Sequence, residues 1–201
     1  HVRLVETGRT RFEKWGGFNY TKNLTDGNAT IFVESTVVND KGTEMPAVIR
    51  QTVLDAEGKV VAENSCEVTL PASGKSTFGQ TFDVPQPRLW NLDEPYLYTL
   101  RSVIIAGGKE LDRVDNTLGI RTIEYDIDKG FLLNGERVKM LGVNVHHDGG
   151  AVGAAVPERV WERRIEILKE GGCNAIRTAH NAPAPEFLDI CDRLGMLVMD
   201  E

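Results

Sequence analysis

Seven segments in the first 123 residues have the pattern of strands that are buried on one face. The clearest is residues 77–84, where Phe78, Phe82 and Val84 alternate with polar or small residues, which places one face in a core and the other in water. The predicted strands are residues 17–24, 29–38, 47–54, 59–68, 77–84, 96–105 and 110–123. Clusters of Gly, Asn, Asp and Ser separate them, as turns require. About seven short strands in about a hundred residues predict an immunoglobulin-like β-sandwich.

The pattern changes after residue 123. Asn134 and Gly135 predict a tight hairpin within residues 131–138. A strand over 137–145, a helix over 157–170, a strand over 174–178, a helix over 185–194 with Gly195 as its C-terminal cap residue, and a strand over 196–199 follow.

Strands that alternate with helices indicate a parallel sheet. A complete (β/α)₈ barrel needs roughly 250 residues, whereas residues 130–201 number only 72. The predicted fold is therefore multidomain, β plus α/β. It consists of an immunoglobulin-like β-sandwich in residues 1–123, followed in residues 124–201 by the first βα units of an incomplete (β/α)₈ barrel, about three strands and two helices.

The composition of the chain limits which classes of partner it can bind. The 201 residues carry 23 basic and 30 acidic side chains, a net charge of −7, and no basic cluster, which argues against nucleic acid and anionic membranes as partners. The sequence has neither an apolar stretch long enough to span a bilayer nor a secretory signal. Because it begins at His1 without a methionine, we expect a processed or excised piece. Cys66, Cys173 and Cys191 fit no metal spacing, and we interpret them as small buried apolar residues.

Polar side chains fall where the predicted parallel strands end. Asn144 and His146 end one strand, Arg177 and His180 end the next, and Asp200 and Glu201 end the last. Ligands bind at this edge in open α/β sheets and in barrels. Arg177 and His180 are three positions apart, so both can face one ligand only if the strand ends or bulges near Thr178. A structural ion pair is an equally good interpretation of Arg177.

A metal site is a second interpretation of the histidines. His146, His147, Asp148 and His180 are residue types that bind metals. Adjacent histidines, however, point to opposite sides of a strand, which disfavours a shared metal. No cofactor is predicted.

An aromatic segment, residues 89–98, contains Trp90, Tyr96 and Tyr98. It could form a platform for a sugar ring. The favoured interpretation is a proline-broken loop whose Trp90 and tyrosines pack in the sandwich core.

The last 28 residues resemble a known family. The sequence Asn-Ala-Ile-Arg-Thr-Ala-His at 174–180, Cys-Asp-Arg-Leu-Gly at 191–195 and Met-Leu-Val-Met-Asp-Glu at 196–201 is similar to the central signature of the family 2 glycoside hydrolases. That family includes β-galactosidases, β-glucuronidases and β-mannosidases. Many members have Tyr-Pro after the histidine, where this chain has Asn181 and Ala182, so the resemblance leaves the sugar open. The aromatic segment also resembles part of the family's sandwich domain.

The resemblance implies an O-glycosyl hydrolase, β-galactosidase-like, whose partner is a carbohydrate substrate. His146 and His180 match the family's substrate-contacting histidines, and Arg177 matches an arginine beside the nucleophile. A retaining glycosidase needs two carboxyl groups about 5–5.5 Å apart, and Asp200 and Glu201 cannot form that pair because strand neighbours point to opposite faces.

The resemblance implies that the family's two catalytic glutamates lie on later strands, beyond residue 201. We expect no catalytic residue in this chain, no activity of the chain alone, and self-association through the exposed barrel edge. A non-catalytic carbohydrate-binding or spacer module and a metal-dependent barrel hydrolase are the alternative functions.

Overall fold

The structure, a computed structural model, describes residues 4–201. Its backbone forms two compact units. The sandwich unit comprises the described residues up to Pro87 together with Tyr98–Ile120, and the α/β unit comprises Arg88–Leu97 and Arg121–Glu201. A domain boundary at residue 123 stays a prediction. The segment Arg88–Leu97, however, packs with the α/β unit although strands of the sandwich unit precede and follow it.

All seven predicted strands of the sandwich unit are present. They are β1 (Thr10–Thr25), β2 (Asn28–Asn39), β3 (Met45–Leu54), β4 (Val60–Leu70), β5 (Gly74–Pro85), β6 (Tyr98–Ala106) and β7 (Lys109–Leu118). Two antiparallel sheets result, with strand orders β1-β2-β5 and β4-β3-β6-β7. The seventh strand is shorter than predicted and ends at Leu118 rather than at residue 123.

Apolar side chains from both sheets fill the sandwich core. Val37, Ala47, Ile49, Leu70 and Ile104 form one buried cluster. The alternation of apolar and polar residues produces this core because every second side chain of a strand points inward.

The α/β unit begins with a small antiparallel sheet. Its strands are β8 (Ile123–Asp126), β9 (Gly130–Leu133) and β10 (Glu136–Arg137). The predicted hairpin is confirmed: Asn134 and Gly135 have φ of 54° and 80°, the two positive angles of a type I′ turn, which Asn-Gly accommodates.

A parallel sheet with strand order β11-β12-β13 follows. Its elements are β11 (Gly142–Val145), a 3₁₀-helix (Gly150–Val152), α1 (Glu158–Glu170), β12 (Ala175–Thr178), α2 (Pro185–Leu194) and β13 (Leu197–Met199). The three strands and two helices are those predicted, except that the strand expected over 137–145 is regular only from Gly142.

Both helices cover the same face of this sheet. Trp161 and Ile165 of α1 pack with Ile176 of β12 and with Phe187 and Cys191 of α2 in a buried cluster. Burial raises the pKa of the Cys191 thiol to about 12, so this thiol stays protonated and packs as the small apolar residue that was predicted.

Trp90 lies in the α/β unit, so its predicted place in the sandwich core is wrong. Its side chain is 1% exposed and packs with Phe131, Leu133 and Leu197. Its indole Nε1 donates a hydrogen bond to the backbone oxygen of Asp192 (2.7 Å). A buried indole needs apolar neighbours for its rings and a hydrogen-bond acceptor for its N–H, and the α/β unit supplies both. Burial also excludes Trp90 as a sugar platform. Tyr98, by contrast, is buried in the sandwich unit.

Candidate active site at the carboxyl ends of the parallel strands

Asn144 and Arg177 occupy neighbouring positions on β11 and β12. Register partners in a parallel sheet project from the same face. That face is opposite the helices, because Ile176, the next residue along β12, packs into the helix core. Asn144 is exposed, and the Arg177 side chain is 34% exposed. Both border an open cleft of about 420 Å³.

One carboxylate brings Arg177 and His180 together. Arg177 Nη2 donates a short hydrogen bond to Glu201 Oε1, and His180 Nδ1 lies 3.3 Å from Glu201 Oε2. β12 ends at Thr178, as required if both residues are to reach one ligand, and the Ala179–His180 peptide is cis. Arg177 therefore does form an ion pair, but a half-exposed one.

Thr178 fixes the end of β13. Its buried hydroxyl donates to Asp200 Oδ1 (3.1 Å) and accepts from the backbone N–H of Glu201 (3.2 Å). The two adjacent carboxylates thus have different partners: Asp200 binds Thr178, whereas Glu201 binds Arg177 and lies beside His180.

The adjacent histidines follow the end of β11 at Val145, and their rings contact different neighbours. The His146 ring lies 5.7 Å from the His180 ring, nearly perpendicular to it. The His147 ring lies 5.3 Å from the Trp161 ring of α1. His146 therefore joins Asn144, Arg177, His180 and Glu201 in what we call the strand-end cluster. His147, by contrast, packs against a helix. Within residues 4–201, no three His, Cys, Asp or Glu side chains come close enough to hold a metal ion.

Sequence reasoning placed Glu201 at the ligand edge but gave it no role in the site, and it missed Thr178. The available signal was the Asp-Glu pair directly after an apolar strand, since polar residues at that position lie at the ligand edge. The spacing did not reveal that Glu201 reaches back across the sheet to Arg177.

The cluster can bind a ligand rich in hydroxyl groups. Its groups are the Asn144 amide, the His146 and His180 rings, and the Arg177–Glu201 pair, and the His180 side chain is 73% exposed. Together they offer hydrogen-bond donors and acceptors at one end of the parallel sheet.

Sequence comparison assigns both parts of the chain to one family. Residues 17–121 match the profile of glycosyl hydrolases family 2, and residues 126–201 match the TIM barrel domain of the same family. The chain belongs to glycosyl hydrolase family 2. The β-strands of the sandwich unit and the three parallel strands of the α/β unit are thus the family's β-sandwich and the start of its TIM barrel.

Individual relatives agree with this assignment. The β-galactosidase BoGH2A of Bacteroides ovatus is 43% identical over 201 residues, which are 100% of this chain and 24% of that protein. A putative β-glucuronidase of Formosa agariphila is 36% identical over 200 residues, 100% of this chain and 19% of that protein. A solved family 2 member from Bacteroides cellulosilyticus superposes with a TM-score of 0.93 at 37% identity, over 97% of this chain and 25% of that one. The chain thus spans about a quarter or less of each of these proteins.

Proposed function

We propose that the chain is the part of a β-galactosidase-like glycoside hydrolase that contributes Asn144, His146, Arg177 and His180 to substrate binding. The two catalytic glutamates belong to polypeptide that follows residue 201. The observation that supports this assignment is the strand-end cluster, in which Glu201 joins Arg177 and His180 beside Asn144 and His146.

Hydrogen bonds explain what the cluster does in this proposal. As a glycosidic bond breaks, the sugar flattens and gains positive charge, and hydrogen bonds to its hydroxyls tighten. The Glu201 carboxylate holds Arg177 and His180 in place before the sugar arrives, and preorganised groups of this kind stabilise a transition state most effectively.

A neutral sugar suits this cluster better than a uronic acid. The charge of Arg177 is already balanced by Glu201, so the guanidinium is not free to pair with a substrate carboxylate. A β-galactoside is the neutral substrate named for the relative that is 43% identical.

The test compares two histidines in a polypeptide that carries this chain and the remainder of the barrel. Replacing His180 by Ala should lower kcat and kcat/KM for a chromogenic β-galactoside together, by about 2–4 kcal/mol in transition-state stabilisation. His147→Ala is the matched control, because His147 packs against Trp161 and should affect thermal stability while leaving the rate per folded molecule unchanged. A destabilised His180→Ala enzyme that keeps the wild-type kcat would contradict the proposal.

The isolated 201-residue chain should hydrolyse no glycoside, because the proposal places both catalytic carboxylates outside it. Chromogenic β-galactoside, β-glucuronide and β-mannoside are the appropriate substrates. Turnover above that of a denatured sample would refute this expectation.

A further inference from the structure

A cleft of about 540 Å³ opens in the sandwich unit beside β1 and β7. Along its wall, the pairing of β1 with β2 shifts register between Phe12 and Gly17. Residues 13–16 therefore leave the regular ladder, as in a β-bulge, which is a device that re-aims side chains. A volume of this size lies within the range of small-molecule sites, roughly 300–1,000 Å³.

Hydroxyl and amide groups line the base of the cleft. Ser35 and Ser102 border it, and both are buried. Gln51 fixes them: its Nε2 donates to Ser35 Oγ (3.1 Å), and its Oε1 accepts from Ser102 Oγ (2.6 Å). The hydroxyl oxygens are thus held at set positions at the base of the cleft and keep lone pairs available to a ligand.

Strand β7 supplies a polar wall. Asp112 Oδ2 accepts a hydrogen bond from the backbone N–H of Phe12 (2.8 Å), which fixes this carboxylate. Asn116 is exposed, and its Nδ2 lies 3.8 Å from where a Cβ of Gly17 would be. Because residue 17 has no side chain, the approach to the Asn116 amide stays open.

Trp15 lies at the rim of the cleft in an unusual conformation. Its φ is 61°, a value that bulky residues seldom adopt and that marks stored strain when they do. Its side chain is 76% exposed, whereas Trp90 and Trp161 are 1% and 2% exposed. An exposed indole held at a strained position is a feature that packing of the sandwich core does not explain.

Several charges around the cleft are already paired, and the Lys14 ammonium lies over the Trp15 ring, 5.5 Å from its centroid, which leaves the other face of the indole for a ligand. Arg11 pairs with Asp40, Arg113 pairs with Glu110 (2.8 Å), and Glu13 pairs with Lys75 (2.8 Å). An anionic ligand would compete with these carboxylates for its cations, so a neutral ligand suits the cleft better.

We propose that this cleft is a non-catalytic binding site for a neutral mono- or disaccharide. The apolar face of a sugar ring stacks on the Trp15 indole, and its hydroxyls bind Asn116, Asp112 and the serine hydroxyls at the base. An aromatic plane beside converging amide, carboxylate and hydroxyl groups matches the amphipathic surface of a sugar. The inference does not depend on the strand-end cluster or on any hydrolytic activity.

The test uses the 201-residue chain and the fluorescence of its one exposed tryptophan. Titration with methyl β-D-galactoside, lactose and cellobiose should change Trp15 emission saturably for at least one of them, and glucuronic acid should bind at least fivefold more weakly. Asn116→Ala keeps the fluorescent residue and should weaken binding at least fivefold. Tyr20→Ala, which removes an exposed aromatic side chain of the same strand that does not line the cleft, should leave binding unchanged.

Calorimetry with Trp15→Phe and Trp15→Ala completes the test, since these variants lose the optical signal. Phenylalanine should retain part of the affinity and alanine none, while circular dichroism checks that each variant is folded. The proposal is wrong if none of the three neutral sugars saturates by about 50 mM, a limit well above millimolar affinity. It is equally wrong if glucuronic acid binds as well as they do, or if Asn116→Ala binds like the wild type.

Discussion

The two units differ in how completely each encloses its own apolar surface. In the sandwich unit, two antiparallel sheets cover each other, and the core residues Val37, Ile49 and Ile104 are fully buried. In the α/β unit, α1 and α2 cover one face of the parallel sheet, while Met199, the register partner of Arg177 on the other face, remains 56% exposed. Parallel sheets are normally covered on both faces.

The difference shows which folds a short chain can complete. An antiparallel sandwich of seven strands closes its core with strands that all lie between Thr10 and Leu118. A parallel barrel needs each strand to meet a neighbour on both sides, and β11 and β13 are edges of a three-stranded sheet. Exposed edges and apolar faces tend to associate, so self-association of this chain stays a prediction.

Removing one buried side chain from each unit should destabilise that unit more than the other. Trp90→Ala should cost about 3–5 kcal/mol and Leu100→Ala about 2–5 kcal/mol. Because Trp90 packs in the α/β unit, its loss should speed amide exchange in β12 and α2 while leaving β2 and β3 protected. Leu100 is buried in β6, so its loss should do the reverse.

Hydrogen exchange read by mass spectrometry, with peptides that separate the units, measures both variants. If Trp90→Ala instead deprotected β2 and β3 and spared α2, the assignment of residues 88–97 to the α/β unit would be wrong.

In the unaltered chain, the sandwich unit should be the more stable half. We expect its slowest amides to exchange at least tenfold more slowly than the slowest in residues 130–201, a difference of about 1.4 kcal/mol. The reason is the uncovered face of the parallel sheet. Equal or reversed protection in dilute samples would contradict the expectation, and repeating the measurement at several concentrations reveals any protection that comes from association.

Two carboxylates should give the units opposite responses to pH. Arg101 donates two hydrogen bonds to Asp115 of β7 (2.9 and 2.7 Å), which lowers the pKa of this carboxyl. In α2, burial, followed by the nearby Glu186 and Glu158, raises the pKa of Asp189. The charged form is thus favoured by folding at Asp115 and disfavoured at Asp189.

Stability from Asp115 is present above its unfolded pKa of about 4 and is lost as pH falls through the lower folded value. For Asp189, stability is present below that pKa and is lost as pH rises through the higher folded value.

Asp115→Asn should therefore destabilise the chain at pH 7 by up to about 1 kcal/mol. Asp189→Asn should stabilise it by up to about 0.5 kcal/mol. Urea unfolding at pH 3 and pH 7 checks both, and equal effects at the two pH values would contradict them.

Local sequence patterns predicted the elements well but not their long-range partners. The alternation at 77–84, the Asn134–Gly135 turn and the Gly195 cap, whose φ is 69°, each depend on neighbours in sequence. The position of Trp90 depends on Phe131 and Leu197, which are distant in sequence, and no periodicity within residues 89–98 encodes it.

The candidate site shows the same limit. The predicted strand ends correctly grouped Asn144 with Arg177 at one edge of the parallel sheet, and His146 and His180 were predicted at the same edge. This grouping is possible because the carboxyl ends of parallel strands lie at the same edge. The link through Glu201 depends on side-chain reach between strands, which spacing along the chain does not specify.

The place of Trp90 also bears on where this polypeptide can be cut or recombined. The indole donates to Asp192, and Lys169 Nζ donates to the backbone oxygen of Leu92 (2.9 Å), so ten residues encoded upstream complete a unit encoded mainly downstream. A truncation or gene fusion made at residue 123 would leave the barrel fragment with a tryptophan-sized hole and the other product with an unburied indole. Module exchange between relatives therefore has to carry residues 88–97 together with the barrel sequence.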